Sequence, residues 1–172
     1  MDAFPVHPVA ASAKGKKNGG LFIFLIAYLV LVFVVADAIP STLRTPIAAH
    51  QASAVGLLRI INTAEVTYAS TYDGFSPTLS ALGPPPANAP PTASVAGLID
   101  DVLAGGRKSG YRFAYLPGPK DSDGHIKSYT VVARPLEYNN CGVNSYFTDE
   151  SGVIRQTSED RPATAKDPPF AD

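Results

Sequence analysis

The chain has 172 residues, 45% of them apolar, and a formal net charge of -1, enough for one core plus a targeting or anchoring segment. Residues 1–20 carry +2, from Lys14, Lys16 and Lys17 against Asp2, which leaves -3 on the rest; a mildly acidic body without a Lys/Arg run gives nucleic-acid binding no electrostatic footing. The single cysteine, Cys141, excludes an intrachain disulfide framework and a multi-cysteine metal knuckle.

Residues 1–20 are small, polar and Pro-containing, with Lys14-Gly15-Lys16-Lys17 just before an apolar block; they read as a disordered basic tail. Residues 21–36 are uninterruptedly apolar, and the run reaches residue 39 if Asp37 lies near an interface. At about 1.5 Å per residue that length just crosses a ~30 Å hydrocarbon core. Lysines on the N-terminal side alone orient such a span with the N-terminus inside and the remainder outside. The same basic and apolar regions, followed by Ala36-Asp37-Ala38, also satisfy the small-x-small pattern of a signal-peptidase site. On local pattern the two readings stand side by side, with a buried structural helix as a third.

Thr45-Pro46 is a helix-start signal. From Ile47 on, Ala54, Leu57, Leu58, Ile61, Ala64, Tyr68 and Tyr72 recur at spacings of three and four, an amphipathic helix ending at Asp73-Gly74, with Gly74 as the left-handed cap. Glu65 reads as a surface charge at the edge of that stripe. Phe75, Leu79 and Leu82 are expected to tuck under the helix, and the prolines at 84–86, 90 and 91 make an extended spacer. Ser94 is the expected cap of a short helix carrying Leu98, Ile99, Val102 and Leu103 and closed by Gly105-Gly106.

The remainder alternates as strands do. Tyr111, Phe113 and Tyr115 share one face of residues 111–116, and Tyr129, Val131 and Ala133 one face of residues 127–134. Asp121-Ser122-Asp123-Gly124 is the turn between them. A third arm, 145–148, turns at Asp149-Glu150-Ser151-Gly152 into 153–155. One long helix plus consecutive short strands predicts an α+β layer pair with an antiparallel meander. The polar residues 158–172 are expected to be a flexible tail.

Chemistry-bearing clusters are sparse. His7, His50 and His125 show no metal-ligand spacing. Cys141 and His125 would make a nucleophile and base only if the fold brought them together, and a lone loop cysteine is more often a free thiol. Gly105-Gly106-Arg107-Lys108-Ser109 follows a helix and leads into a strand, the reverse of a phosphate loop. Asp121 and Asp123 form half of a calcium loop, without the remaining acidic ladder, and read first as a plain turn. Neither an enzyme, a cofactor nor a small-molecule substrate emerges.

The order of parts resembles the type IV pilin and pseudopilin superfamily, and in particular pilin-like proteins of acidobacterial type. The resemblance rests on Ala38-Ile39-Pro40-Ser41-Thr42-Leu43-Arg44, on residues 51–68 (QASAVGLLRIINTAEVTY), and on segments at 74–79, 108–111 and 146–155, and covers most of residues 21–157. It implies a disordered cytoplasmic tail (1–20), a transmembrane helix (21–39), a pilin-like headpiece (40–157) and a flexible tail (158–172). It further implies a non-enzymatic, single-pass subunit of the bacterial inner membrane whose partners are the lipid bilayer and other pilin-like subunits in a pilus or type II secretion-type filament. Ala54, Leu57, Leu58, Ile61 and Tyr68 then belong to the assembly helix. The chain departs from the family at its front: cutting after Gly20, before Leu21, puts Leu25 where a Glu is usual, and counting back from Pro40 puts Ile23 there. The alternative is an exported monomeric binding module of the same fold, released between Ala38 and Ile39.

Overall fold

One helix, α1 (Gly19–Tyr72), leads the computed structural model, which describes the backbone of residues 19–171 and the side chains of residues 46–171. The chain divides into two units, Met1–Ser41 and Thr42–Asp172. Pro46 lies inside α1 rather than at its start, a correction to the expected N-terminus: proline removes one N–H from the helix ladder but does not set its boundary here. Among the described residues no helix is long and apolar enough to cross a membrane; the side chains of the expected span, 21–39, lie outside them, as does the tail 1–18.

The second unit is built by burying the apolar stripe of α1 on a sheet. Ala54, Leu58 and Ile61 are fully buried, and Leu57, Ala64 and Tyr68 nearly so. Burying one such Leu or Ile side chain contributes roughly 1.5–3 kcal/mol. Their partners in the core include Tyr111, Phe113, Tyr129, Val131, Ala133 and Tyr146, the inward rows of the strands. The helix ends at Asp73, whose φ of 60° makes it, and not Gly74, the left-handed residue. Gly74 is needed for closeness instead: a Cβ there would lie 3.0 Å from the backbone N and O of Ile126.

Residues 75–104 wind beneath the helix. Thr78 caps a 3-10 turn, Leu79–Leu82, by accepting the Ala81 N–H on its hydroxyl, and Leu79 and Leu82 enter the core as expected. The next helix is shorter than the sequence implies. α2 spans only Asp101–Ala104, because Asp100 rather than Ser94 supplies the cap, accepting the Leu103 N–H at 3.1 Å. Leu98 and Ile99 precede it in a bend, both donating their N–H groups to the Leu82 carbonyl.

The sheet is a meander of β1 (Arg107–Lys108), β2 (Tyr111–Pro117), β3 (Tyr129–Pro135), β4 (Ser145–Asp149) and β5 (Arg155–Thr157), all neighbours antiparallel and in sequence order. Strand alternation predicted β2 and β3 and their inward rows; the expected arm 145–148 falls in β4, whose partner pairs at 155–157 rather than 153–155. β1 is too short to alternate and reads as loop in the sequence; its pairing to β2 comes from the two-residue turn Ser109-Gly110, both at positive φ (49° and 77°), as a type I′ hairpin requires.

The C-terminal segment departs from expectation most clearly. Residues 158–171 fold back along β5: the Gln156 N–H donates to the Pro168 carbonyl (3.0 Å) and the Phe170 N–H to the Ile154 carbonyl (2.8 Å). Arg161 forks onto Asp167 through two bonds of 2.9 and 2.6 Å, the Thr164 N–H reaches the same carboxylate at 2.7 Å, and Ala163 is buried. Proline content removed competing hydrogen-bond donors without preventing docking.

Candidate functional site

The residues expected on an assembly helix are used inside the chain. Ala54, Leu57, Leu58, Ile61 and Tyr68 are at most 6% exposed under their own sheet, so they do not face a neighbour, a correction that follows from the sheet satisfying the whole apolar stripe. The opposite face stays open. Ile60 is 49% and Val66 65% exposed; six residues apart, they stand about 120° from one another round α1, with Thr63 and Thr67 between them. Arg59, Ile60, Thr63, Ala64, Thr67 and Leu98 line a shallow groove of about 300 Å³ along the flank of α1, and Val66 lies outside it. Gly56, one turn upstream of Ile60, has nothing within 4 Å of where a Cβ would stand. Gly20, Leu21, Ala38 and Ile39, the residues of the expected processing sites, have side chains outside the described residues.

Beneath the helix lies a polar cluster that the sequence reading missed. Glu65 is completely buried, not a surface charge. Its carboxylate accepts the Ser76 N–H at 2.9 Å and the Ser76 hydroxyl at 2.5 Å. The Tyr115 hydroxyl donates to the Ser76 carbonyl at 2.8 Å. Burial pushes the Glu65 carboxyl above its usual range, outweighing the bonds from Ser76, and burial pushes Tyr115 and Tyr129 up as well, so the phenols remain neutral donors. One turn away Asn62 accepts from the Tyr129 hydroxyl (3.0 Å) and donates to Thr148 (2.9 Å). Tyr129 stacks on Tyr115 with centroids 5.9 Å apart and meets the edge of Phe75 at 4.8 Å. Spacing held the missed signal: Glu65 stands four residues after Ile61 and three before Tyr68, within the buried stripe.

The histidine, cysteine and aspartate candidates separate into two ends of the headpiece. The His50 ring donates through Nδ1 to the Cys141 carbonyl at 3.2 Å; a carbonyl accepts only, so Nδ1 carries the proton. Gln51 beside it accepts the Val143 N–H at 3.2 Å, so two consecutive helix residues clamp the 136–144 loop. Tyr111 donates to the Asn144 carbonyl at 2.9 Å and fills the space over Gly142. His125 lies instead against Gly74, past the far end of α1, more than twenty residues along the helix from His50 and hence roughly 30 Å away. The nucleophile and base pairing of His125 with Cys141 therefore does not form.

At that far end Asp121 accepts the N–H groups of Asp123 (3.0 Å) and His125 (2.8 Å) on one carboxylate oxygen, and Gly124 adopts a φ of 87°. The bond from His125 is the main cause of a lowered Asp121 carboxyl. The other oxygen is 3.9 Å from the Lys127 ammonium. The Asp121 and Asp123 pair is thus a turn clasp, and among the described residues no three His, Cys, Asp or Glu side chains group as a metal site. No protein-family model matches the chain, nor does any curated protein or any solved structure.

Proposed function

We propose that this chain is a membrane-anchored, pilin-like structural subunit, a minor pilin, pseudopilin or unprocessed relative, working in a type IV pilus or a type II secretion-type filament rather than as an enzyme. The observation that carries the reading is the division of α1 into two faces. One is consumed by the headpiece. The other presents Ile60 and Val66 to solvent along the same helix whose sequence begins with the apolar block 21–36. Exposed β-branched apolar residues on the free side of a helix are the chemistry of a helix-packing surface, with a second copy or a homologous subunit as the occupant. The apolar block and its lysine flank support anchoring with the headpiece outside.

Shearing of cells that produce the full-length chain, followed by sedimentation, tests this directly. The protein is expected in the filament pellet, and Val66→Glu is expected to leave it in the membrane fraction while the headpiece stays folded. Mass spectrometry of the mature N-terminus distinguishes the anchored forms, intact or beginning at Leu21, from a soluble chain beginning at Ile39. The last outcome would overturn anchoring and favour an exported binding module.

A further inference from the structure

Strand register assembles a basic row that no run in the sequence announces. Arg107 pairs with Arg112 across β1 and β2, and Arg112 pairs with Arg134 across β2 and β3. Residues directly opposite on antiparallel strands share a face, and Tyr111 and Phe113 on either side of Arg112 point into the core, so the three guanidinium groups stand on the sheet face away from α1. Like charges placed directly opposite repel, and three in a row are retained here with little local compensation. Among the described residues Arg107 and Arg112 have no carboxylate partner, and only Arg134 has one: its Nη2 donates to Asp160 at 2.8 Å.

The Arg134 Nε atom is buried without a hydrogen-bond partner and closed to solvent, while the side chain as a whole is 40% exposed. Arg112 and Arg134 open onto a cleft of about 310 Å³ whose other walls are Pro135, Leu136, Tyr138 and Asp160. Leu136 is 45% exposed there, and Tyr138 is fixed by donating its hydroxyl to the Ser158 carbonyl at 2.6 Å. Asp160 is the one negative group on the wall, and its bond to Nη2 fixes the Arg134 guanidinium in place.

We infer that this cleft binds a small oxyanion ligand of about monosaccharide size, its carboxylate or phosphate group held between the Arg112 and Arg134 guanidinium groups, its body against Leu136 and the Tyr138 ring. Planar guanidinium groups recognise both oxyanions through paired N–H donors, and an anion seated there relieves the repulsion between the two strands. A cleft of this volume lies at the small end of ligand pockets. The site is independent of the helix face invoked for assembly and sits on the other side of the sheet.

Titration calorimetry on the full-length protein in nonionic detergent, at fixed ionic strength, tests the inference with three probes: glucuronate, glucose 6-phosphate and uncharged glucose. Saturable binding of at least one acidic sugar, with none of glucose, is the expected result, and the stronger of the two anions assigns carboxylate or phosphate. Arg112→Ala is expected to weaken that binding by on the order of tenfold or more, as loss of a charge-assisted hydrogen bond does. Arg112→Lys, which keeps the charge but loses the fork, is expected to fall between. Because Arg112 is exposed, both variants should retain the wild-type circular dichroism spectrum. Absence of saturable binding by either acidic sugar, equal binding of glucose, or unchanged affinity in a folded Arg112→Ala protein would each overturn the site.

Discussion

Glu65 is held by a hydrogen-bond arrangement that is one proton short. The Ser76 hydroxyl has a single hydrogen but three acceptors within reach, the Glu65 carboxylate at 2.5 Å, the Thr78 carbonyl at 3.0 Å and the Tyr115 hydroxyl oxygen at 3.2 Å. If Glu65 is protonated it can donate to the Ser76 oxygen, and the Ser76 hydrogen then passes to Thr78, so every group is satisfied. Burial raises the Glu65 carboxyl above its ordinary value of 4.5, and the folded state therefore holds the proton to higher pH than the unfolded chain. That stabilisation is fully present below the ordinary value and is lost as pH rises through the elevated one. Glu65→Gln, whose amide reproduces the protonated pattern, is expected to flatten the decline in urea midpoint from mildly acidic to neutral pH. Glu65→Ala strands the Ser76 N–H and is expected to cost about 1–3 kcal/mol. A wild-type decline unchanged in Glu65→Gln would assign the pH dependence elsewhere. No composition or motif marks this residue; only its position in a helical stripe does, and a charged letter in that stripe is usually read as an edge.

Helix α1 shows how far periodicity reaches. Its three-and-four spacing predicts which residues are inside, and Ala54, Leu58, Ile61 and Tyr68 are. It does not say that the sheet of the same chain is what covers them, because an apolar stripe is the same whether its partner is internal or a neighbour. The two faces are separable by mutation. Leu58→Ala is expected to lower unfolding free energy by roughly 2–5 kcal/mol. Val66→Ala is expected to stay within about 0.5 kcal/mol of wild type in the same urea titration while reducing recovery in sheared filaments. The strands were readable because β2 and β3 each run long enough to alternate. β1 and α2 were not: two paired residues carry no period, and α2 owes its start to the Asp100 carboxylate meeting the Leu103 N–H, a choice between Ser94 and Asp100 that propensity alone leaves open. The arginine row was invisible for a related reason, since 107, 112 and 134 become neighbours only through pairing register.

The headpiece is closed by its own C-terminal segment. Asp167 is central to that closure: the Arg161 fork holds its carboxyl well below the usual range. A lowered carboxyl stabilises the folded form above its ordinary value of 3.8, and the contribution is lost as pH falls through the depressed one. This window lies below that of Glu65, so the two act on separate limbs of the pH profile. Asp167→Asn is expected to increase amide exchange at Gln156 and Phe170 and to open residues 158–171 to proteolysis at neutral pH, with the buried stripe of α1 still protected. Equal protection in the variant would show that Phe170, packed on the core against Tyr146, is enough to hold the segment.

The same docking determines how this protein can meet others. A bare edge strand is a template on which any extended chain can crystallise a further strand, in register or out of it. Here Gln156 and Ile154 have already given their outward backbone groups to Pro168 and Phe170, and at the opposite border β1 offers only two residues. Growth by strand donation is thereby discouraged at the β5 border, and any association through the headpiece there becomes a matter of side chains and helices. The headpiece thus carries its own guard against amyloid-like stacking at this border, and removing residues 158–171 would be expected to expose that hazard before it affected the core.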